Sequence, residues 1–333
     1  IDNFVDRFME EHDADEVRRA FDYDETTKSD KLFECLLSHP PTDLIETGMF
    51  TFICMTCSAE VVQEILNCLQ THMLTLKSSL VTEDGDQENS TAENNHNQTH
   101  LTDADYSEWP LLMPDKRGQT ALHYACASGK SAVVEALIKF TRGDPRWITI
   151  GDVDGDTALH YAAETTSASI LLESLSPDLQ RTLLMNPINK HTALHKAVRW
   201  GKLEVAELLI RFSKKLKMSE VFVMMADCDG CTALYYASDG RVASLLLDSL
   251  PTHLQHKLVL KRDKYEATAL HCICNSEDAV EVLLKCAQGM EPHAALLLLL
   301  PDIYGNTVLH SACWRGDSPT PAKLVLDFVQ QFT

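Results

Sequence analysis

The sequence predicts an all-α solenoid: stacked helix-turn-helix units with hairpin-like tips and extra short helices between units. Three observations predict it. A four-residue phrase recurs six times at intervals of 35 to 40 residues, a turn signal stands at a fixed offset before it, and apolar residues at helical spacing follow it.

The phrase is Thr120-Ala121-Leu122-His123, Thr157-Ala158-Leu159-His160, Thr192-Ala193-Leu194-His195, Thr232-Ala233-Leu234-Tyr235, Thr268-Ala269-Leu270-His271 and Thr307-Val308-Leu309-His310. Five residues before the Thr stand Asp115, Asp152, Asp227, Asp263 and Asp302; two before it stand Gly118, Gly155, Gly230 and Gly305. The third copy departs with Pro187 and Lys190, and the fifth with Glu266. Asp and Gly suit a tight turn, where Gly reaches backbone conformations that are costly for other residues. Thr suits a helix N-cap, its hydroxyl satisfying an orphan N–H. The small residues Ala125, Ala162, Ala197, Ala237 and Ala312 let helices approach closely, and the Leu positions bury against the neighbouring unit. A second apolar helix follows, as in Val133-Val134-Glu135-Ala136-Leu137 and Val205-Ala206-Glu207-Leu208-Leu209.

This pattern resembles the ankyrin repeat, over about Asp115 to Val329. The spacing exceeds the usual repeat of about 33 residues. The excess falls in look-alike stretches beginning Pro177-Asp178-Leu179, Pro251-Thr252-His253-Leu254 and Pro292-His293-Ala294. Pro at a first helical turn and Leu at helical spacing predict a short third helix in each. The second and fourth units are shorter after the phrase, which predicts their tightest turn between first and second helix. Phe50–Leu66 echoes the repeat without its turn. The resulting organisation is an acidic helical segment at 1–30, a degenerate capping repeat at 31–70, and an acidic polar loop at 71–110. Six repeats then occupy 111–333, at about 115–151, 152–186, 187–226, 227–262, 263–301 and 302–333. An array of this kind is stabilised by nearest-neighbour interfaces.

Charge divides the 333-residue chain unevenly. Residues 1–110 hold 24 acidic and 6 basic side chains, whereas 111–333 hold 25 and 23. A net charge of −20 disfavours nucleic acid and anionic membrane surfaces as partners. The longest apolar run, Ala294–Leu300, is far short of a bilayer span of about 20 residues. Ile1–Glu10 lacks the features of a secretory signal, and a start at Ile1 suggests a fragment or processed form. The eleven cysteines, scattered through apolar runs, read as reduced thiols of a cytoplasmic protein, with a nuclear setting or the cytosolic part of a membrane protein as the variants.

No catalytic motif emerges, so the chain is expected to be non-enzymatic and without a cofactor. The repeated His residues sit in equivalent places, and Tyr235 replaces one of them, a swap no ligand set tolerates. The resemblance implies that each bonds the hairpin backbone, so Thr120, His123, Thr157, His160, Thr192, His195, Thr232, Thr268, His271, Thr307 and His310 are expected to be structural. Cys54-x-x-Cys57 and Cys228-x-x-Cys231 have zinc spacing but lie several units apart. Asp152-Val153-Asp154-Gly155-Asp156 resembles the start of a calcium loop, yet Ala163 stands where the bidentate Glu belongs.

What remains is a binding surface. The resemblance implies protein partners along hairpin tips and inner helices. The matching positions are Lys116, Arg117, Gln119, Asp154, Asp156, Asn189, His191, Asp229, Lys264, Tyr265, Tyr304 and Asn306 at tips, and Arg199, Trp200, Trp314 and Arg315 at helix ends. Trp paired with Arg suits an interaction hot spot; packing against adjacent repeats is the competing expectation for both Trp residues. The expected function is a protein-interaction scaffold or adaptor. The alternatives are the cytosolic ankyrin domain of a membrane channel, similar to vanilloid-type transient receptor potential channels, and a regulatory inhibitor similar to the inhibitors of NF-kappa-B. The latter is motivated by the acidic front.

Overall fold

The computed structural model describes residues 54, 58–60, 62–63, 66–67, 114–185, 191–289, 294–315 and 319–330. The acidic segment at 1–30 and the loop at 71–110 lie outside these residues, as does nearly all of 31–70. The described residues form α-helices and short 3-10 helices, with three isolated β-bridges and no strand. The chain divides into two compact units, 1–150 and 151–333.

In the first unit, Cys54, Val62 and Leu66 are helical and fully buried. Three helices follow: α1 (Ala121–Ala127), α2 (Ser131–Phe140) and α3 (Pro145–Thr149). Leu122, Cys126, Val133, Val134 and Leu137 close the apolar face between α1 and α2. Asp144 caps α3 by accepting the Arg146 N–H at 2.9 Å, with Pro145 in the first turn, where its missing N–H costs nothing.

The second unit repeats one theme. An inner helix is followed by a turn, an outer helix, and a short third helix leading to the next hairpin tip. The outer helices are α4 (Thr165–Glu173), α7 (Leu203–Lys215), α9 (Gly240–Asp248), α12 (Glu277–Gln288) and α15 (Thr320–Gln330). The third helices are α5 (Pro177–Met185), α8 (Ser219–Met224), α10 (Thr252–Leu260) and α13 (Ala294–Leu299). With α3 in the first unit, each of the first five repeats carries the extra helix. The inner layer consists of a 3-10 turn at Ala158–Tyr161, α6 (Ala193–Arg199), a second 3-10 turn at Ala233–Tyr236, α11 (Ala269–Cys272) and α14 (Val308–Arg315). Inner elements pack on inner elements, and outer helices on outer helices.

The short second and fourth repeats resolve differently from the expected tight turn. Between inner and outer helices lie three residues in repeats 2, 3 and 4 alike: 162–164, 200–202 and 237–239. The missing residues come out of the inner helix, which shrinks from the seven-residue α6 to a single 3-10 turn of four residues. A 3-10 turn closes with fewer residues, so the buried Ala-Leu pair keeps its place while the helix end is lost.

Tips are closed by one glycine conformation. Gly118, Gly155, Gly230 and Gly305 have φ between 73 and 85°. Glu266 holds the same place in the fifth repeat at φ 57°, left-handed and unfavourable for a residue with a Cβ. Arg262 partly offsets this, donating from Nε to the Glu266 carbonyl at 2.6 Å and pairing with its carboxylate at 3.0 Å. Glu266→Gly is expected to stabilise the protein by about 0.5–1 kcal/mol, after loss of that exposed ion pair is included. Urea unfolding checks this, and a lower midpoint for the Gly variant would refute it.

Candidate functional site

The tips rest on an aspartate that accepts several hydrogen bonds. Asp152 Oδ1 accepts the N–H groups of Asp154 and Asp156, both at 2.9 Å, and Oδ2 accepts the Tyr161 hydroxyl at 2.6 Å. Asp115 repeats this with Arg117, Gln119 and Tyr124, and Asp227 with Asp229, Cys231 and Tyr236. Asp263 and Asp302 accept the same two N–H groups. The Asp-x-Asp-x-Asp stretch at 152–156 is thereby a turn whose first carboxylate is engaged by protein donors. The Tyr nine residues after the Asp was missed in the sequence, although its fixed offset in three repeats was a readable signal. The third repeat lacks both members, with Pro187 and Lys196 at those positions.

A second ladder links repeats. Nδ1 of His123, His160, His195, His271 and His310 accepts the N–H of the Thr three residues earlier at 3.0–3.2 Å, completing a capping box. An accepting Nδ1 leaves the proton on Nε2. His160 Nε2 then donates to the His191 carbonyl at 3.1 Å, and His195 Nε2 to the Cys231 carbonyl at 3.2 Å. Tyr235 keeps the link between repeats and abandons the cap. Its hydroxyl lies 2.6 Å from the Lys261 carbonyl and 2.8 Å from that of Ala267, while the Thr232 hydroxyl finds no partner among the described residues. Burial lowers the His195 pKa to about 4, so this imidazole is neutral at physiological pH.

The candidate contact residues divide on exposure. Lys116 and Arg117 are exposed and Gln119 is half-buried. Tyr265 is 44% exposed, Tyr304 75% and Trp314 91%. Lys264 is paired with Asp229 and lies 4.9 Å from the Tyr265 ring centre. That carboxylate raises the Lys264 pKa. Asn306 donates from Nδ2 to Asp302 at 3.1 Å. Asp154 is exposed. Asp156, read as an accessible tip residue, is instead 4% exposed and paired with Lys196 of the next repeat, so it anchors that lysine from inside. His191 is half-buried, with Nδ1 3.2 Å from Asp227. Asn189 and the Arg315 side chain lie outside the described residues.

One group converges that sequence spacing did not bring together. Lys196 Nζ lies 5.4 Å from the Tyr161 ring centre and 5.5 Å from that of Trp200, the two rings being 6.2 Å apart. Arg199 lies 5.5 Å from the Tyr236 ring, and His191 meets that ring edge-on at 5.7 Å. Tyr161, Lys196, Trp200, Arg199 and Tyr236 thus form a strip across repeats 2 to 4, and Trp200 remains 46% exposed. Among the described residues, no cluster of three or more His, Cys, Asp or Glu fits a metal ion, and no helix is long and apolar enough to cross a membrane.

The sequence profile described as "Ankyrin repeats (3 copies)" matches residues 92–182 and 169–257. The chain is an ankyrin-repeat protein. Ankyrin arrays are generally non-enzymatic protein-interaction modules, so protein partners are the coarse functional reading. The ankyrin fold is also that of solved structures to which the chain is similar. The ankyrin repeat domain of Bcl-3, titled a unique member of the IkappaB protein family, is 18% identical over 84% of this chain and 97% of its own, with a TM-score of 0.48. The human ASB11 ankyrin repeat domain is 16% identical over 78% and 94% respectively, with a TM-score of 0.42. No curated protein sequence matches the chain.

Proposed function

We propose that this ankyrin-repeat protein is a non-enzymatic scaffold or adaptor that binds a protein partner through its hairpin tips and inner-helix ends. The observation that carries this is the placement of large exposed aromatics: Tyr265 and Tyr304 at the same place in successive tips, and Trp200 and Trp314 near inner-helix ends. Aromatic side chains left in water at the repeat family's contact positions suit partner anchors. Lys264, paired with Asp229, stands beside the Tyr265 ring. The cysteines support a structural role in a reducing, cytoplasmic setting. Among the described residues eight cysteines are free thiols, and burial raises the pKa of Cys126 strongly and that of Cys231 to about 12, keeping both protonated.

The test is affinity capture with the whole chain, identification of captured proteins by mass spectrometry, and calorimetry with the strongest binder. Tyr304→Ser combined with Trp314→Ala is expected to weaken binding about tenfold, with the circular-dichroism melt unchanged. Undiminished affinity would remove the sixth repeat from the interface.

A further inference from the structure

We infer that Arg199 and Trp200 form a recognition knob for an acidic peptide segment of a partner, one that presents a carboxylate beside an apolar side chain. This rests on the interaction-module reading and names the chemistry of the partner.

The knob arises from repeat lengths. Seven residues separate Thr157 from Glu164 and Thr232 from Asp239, the positions just before the outer helices; ten separate Thr192 from Lys202. The three extra residues lengthen α6, so that it carries Arg199 at its end and Trp200 just beyond. The flanking inner elements stop at Tyr161 and Tyr236, and α6 runs one turn further. Gly201, at φ 65°, lets the chain reverse directly after Trp200.

The side chains are held in place from below. Trp200 tilts against Tyr161 at 42°, with Lys196 beside both rings and fixed by the buried Asp156. Arg199 lies against the Tyr236 ring, whose hydroxyl is fixed by Asp227. Ordering these groups before binding lowers the entropy cost of ordering them on binding.

Charge decides the partner class. The third repeat, 187–226, holds eight Lys and Arg against three Glu, a local +5 in a chain of net −20. Lys196 is neutralised by Asp156, whereas Arg199 and Lys202 meet no carboxylate within ion-pair distance among the described residues. Asp227 is engaged by the Tyr236 hydroxyl and by His191, and Glu164 and Asp239 precede the flanking outer helices. Asp239 is occupied, pairing with Arg241 at 2.8 Å and accepting its N–H at 2.7 Å. A stacked guanidinium keeps its planar fork for a bidentate carboxylate, and the exposed Trp200 ring accepts an aliphatic or aromatic side chain.

The test uses a short synthetic peptide of Glu and Asp around a central Leu-Phe pair, titrated into the whole chain by calorimetry at low and high salt. One comparison peptide replaces the acids with Gln and Asn, and a second replaces Leu-Phe with Ser-Gly. The expected result is binding of the first peptide that weakens with salt, about a tenfold loss with Arg199→Gln and with Trp200→Ala, a smaller loss with Arg199→Lys, and a comparable loss with either comparison peptide. Equal binding by wild type and both variants, or no binding by wild type, overturns the proposal, provided the variants melt as wild type. The broader reading is judged separately. A captured protein that binds Arg199→Gln and Trp200→Ala as tightly as wild type removes only this knob, whereas capture of no protein removes the interaction module.

Discussion

His195→Ala is expected to destabilise the protein by about 3 kcal/mol, measured by urea unfolding at neutral pH. Two bonds are lost together: the buried cap, in which Nδ1 accepts the Thr192 N–H at 3.2 Å, and the part-buried link, in which Nε2 donates to the Cys231 carbonyl at 3.2 Å. Each leaves a partner without its bond, at about 1–3 kcal/mol per group, and the vacated ring adds a cavity. Tyr235 shows which half of the function an alternative side chain retains. His195→Tyr is expected to lie between wild type and Ala, because a tyrosine there keeps the link and gives up the cap. A loss below about 1 kcal/mol for His195→Ala would show that the stack does not depend on the ladder.

The same residue gives stability a pH dependence of definite sign. Burial holds the folded-state pKa of His195 near 4, below the ordinary value of about 6.5. Above about pH 6.5 the imidazole is neutral in both states and contributes no slope. As pH falls towards 4 the unfolded chain takes up a proton that the folded one refuses, and stability is lost, by roughly 3 kcal/mol over the full range. His271, lowered for the same reason, acts in the same direction; the buried Asp156, raised by desolvation, acts in the opposite one. His195→Gln isolates the effect, since Gln at this position preserves a capping-box acceptor and does not titrate. Its stability deficit relative to wild type is expected to shrink by about 2 kcal/mol between pH 7.5 and pH 5. A constant deficit would place the acid sensitivity elsewhere.

The frame of this fold was legible because it rests on local rules. A Thr cap, a His three residues on, an Asp-Gly turn, and Pro followed by spaced Leu each act within one repeat and recur. The third helices were predicted from Pro177 and from the stretches after Pro251 and Pro292. What escaped depends on the neighbouring repeat. The burial of Asp156 follows from Lys196, forty residues on, reaching back to it. The exposure of Trp200 follows from two shortened neighbours, a comparison between repeats and not a property of its own. The shortening itself was visible as missing residues. Whether the turn or the inner helix absorbed it depends on packing of the Ala-Leu pairs, which spacing does not reveal. The Asp–Tyr pairs were local enough to be found.

Gly240→Val is expected to cost about 3 kcal/mol or more, through one close approach between outer helices. Gly240 opens α9, is buried, and faces the start of α12. A Cβ built there lies 2.8 Å from Asp278 Cβ, 2.9 Å from its carbonyl oxygen and 3.0 Å from its carbonyl carbon. Two of these atoms are backbone, in the first turn of a twelve-residue helix, so no flexible side-chain end can yield. Gly240→Ala sets two effects against each other. Alanine gains up to about 1 kcal/mol of helix propensity, whereas overlap with backbone costs about 1–3 kcal/mol, so a net loss is expected. Valine adds two methyl groups at the same contact and removes the ambiguity. Since each repeat is stabilised mainly by its neighbours, the damage should be local. Amide exchange is expected to quicken in α9 and α12, while α6 and α7 keep protection closer to that of wild type. Uniform loss of protection across the second unit would instead mean that it unfolds as one cooperative body. A stable Val variant would mean that α9 and α12 can part without cost.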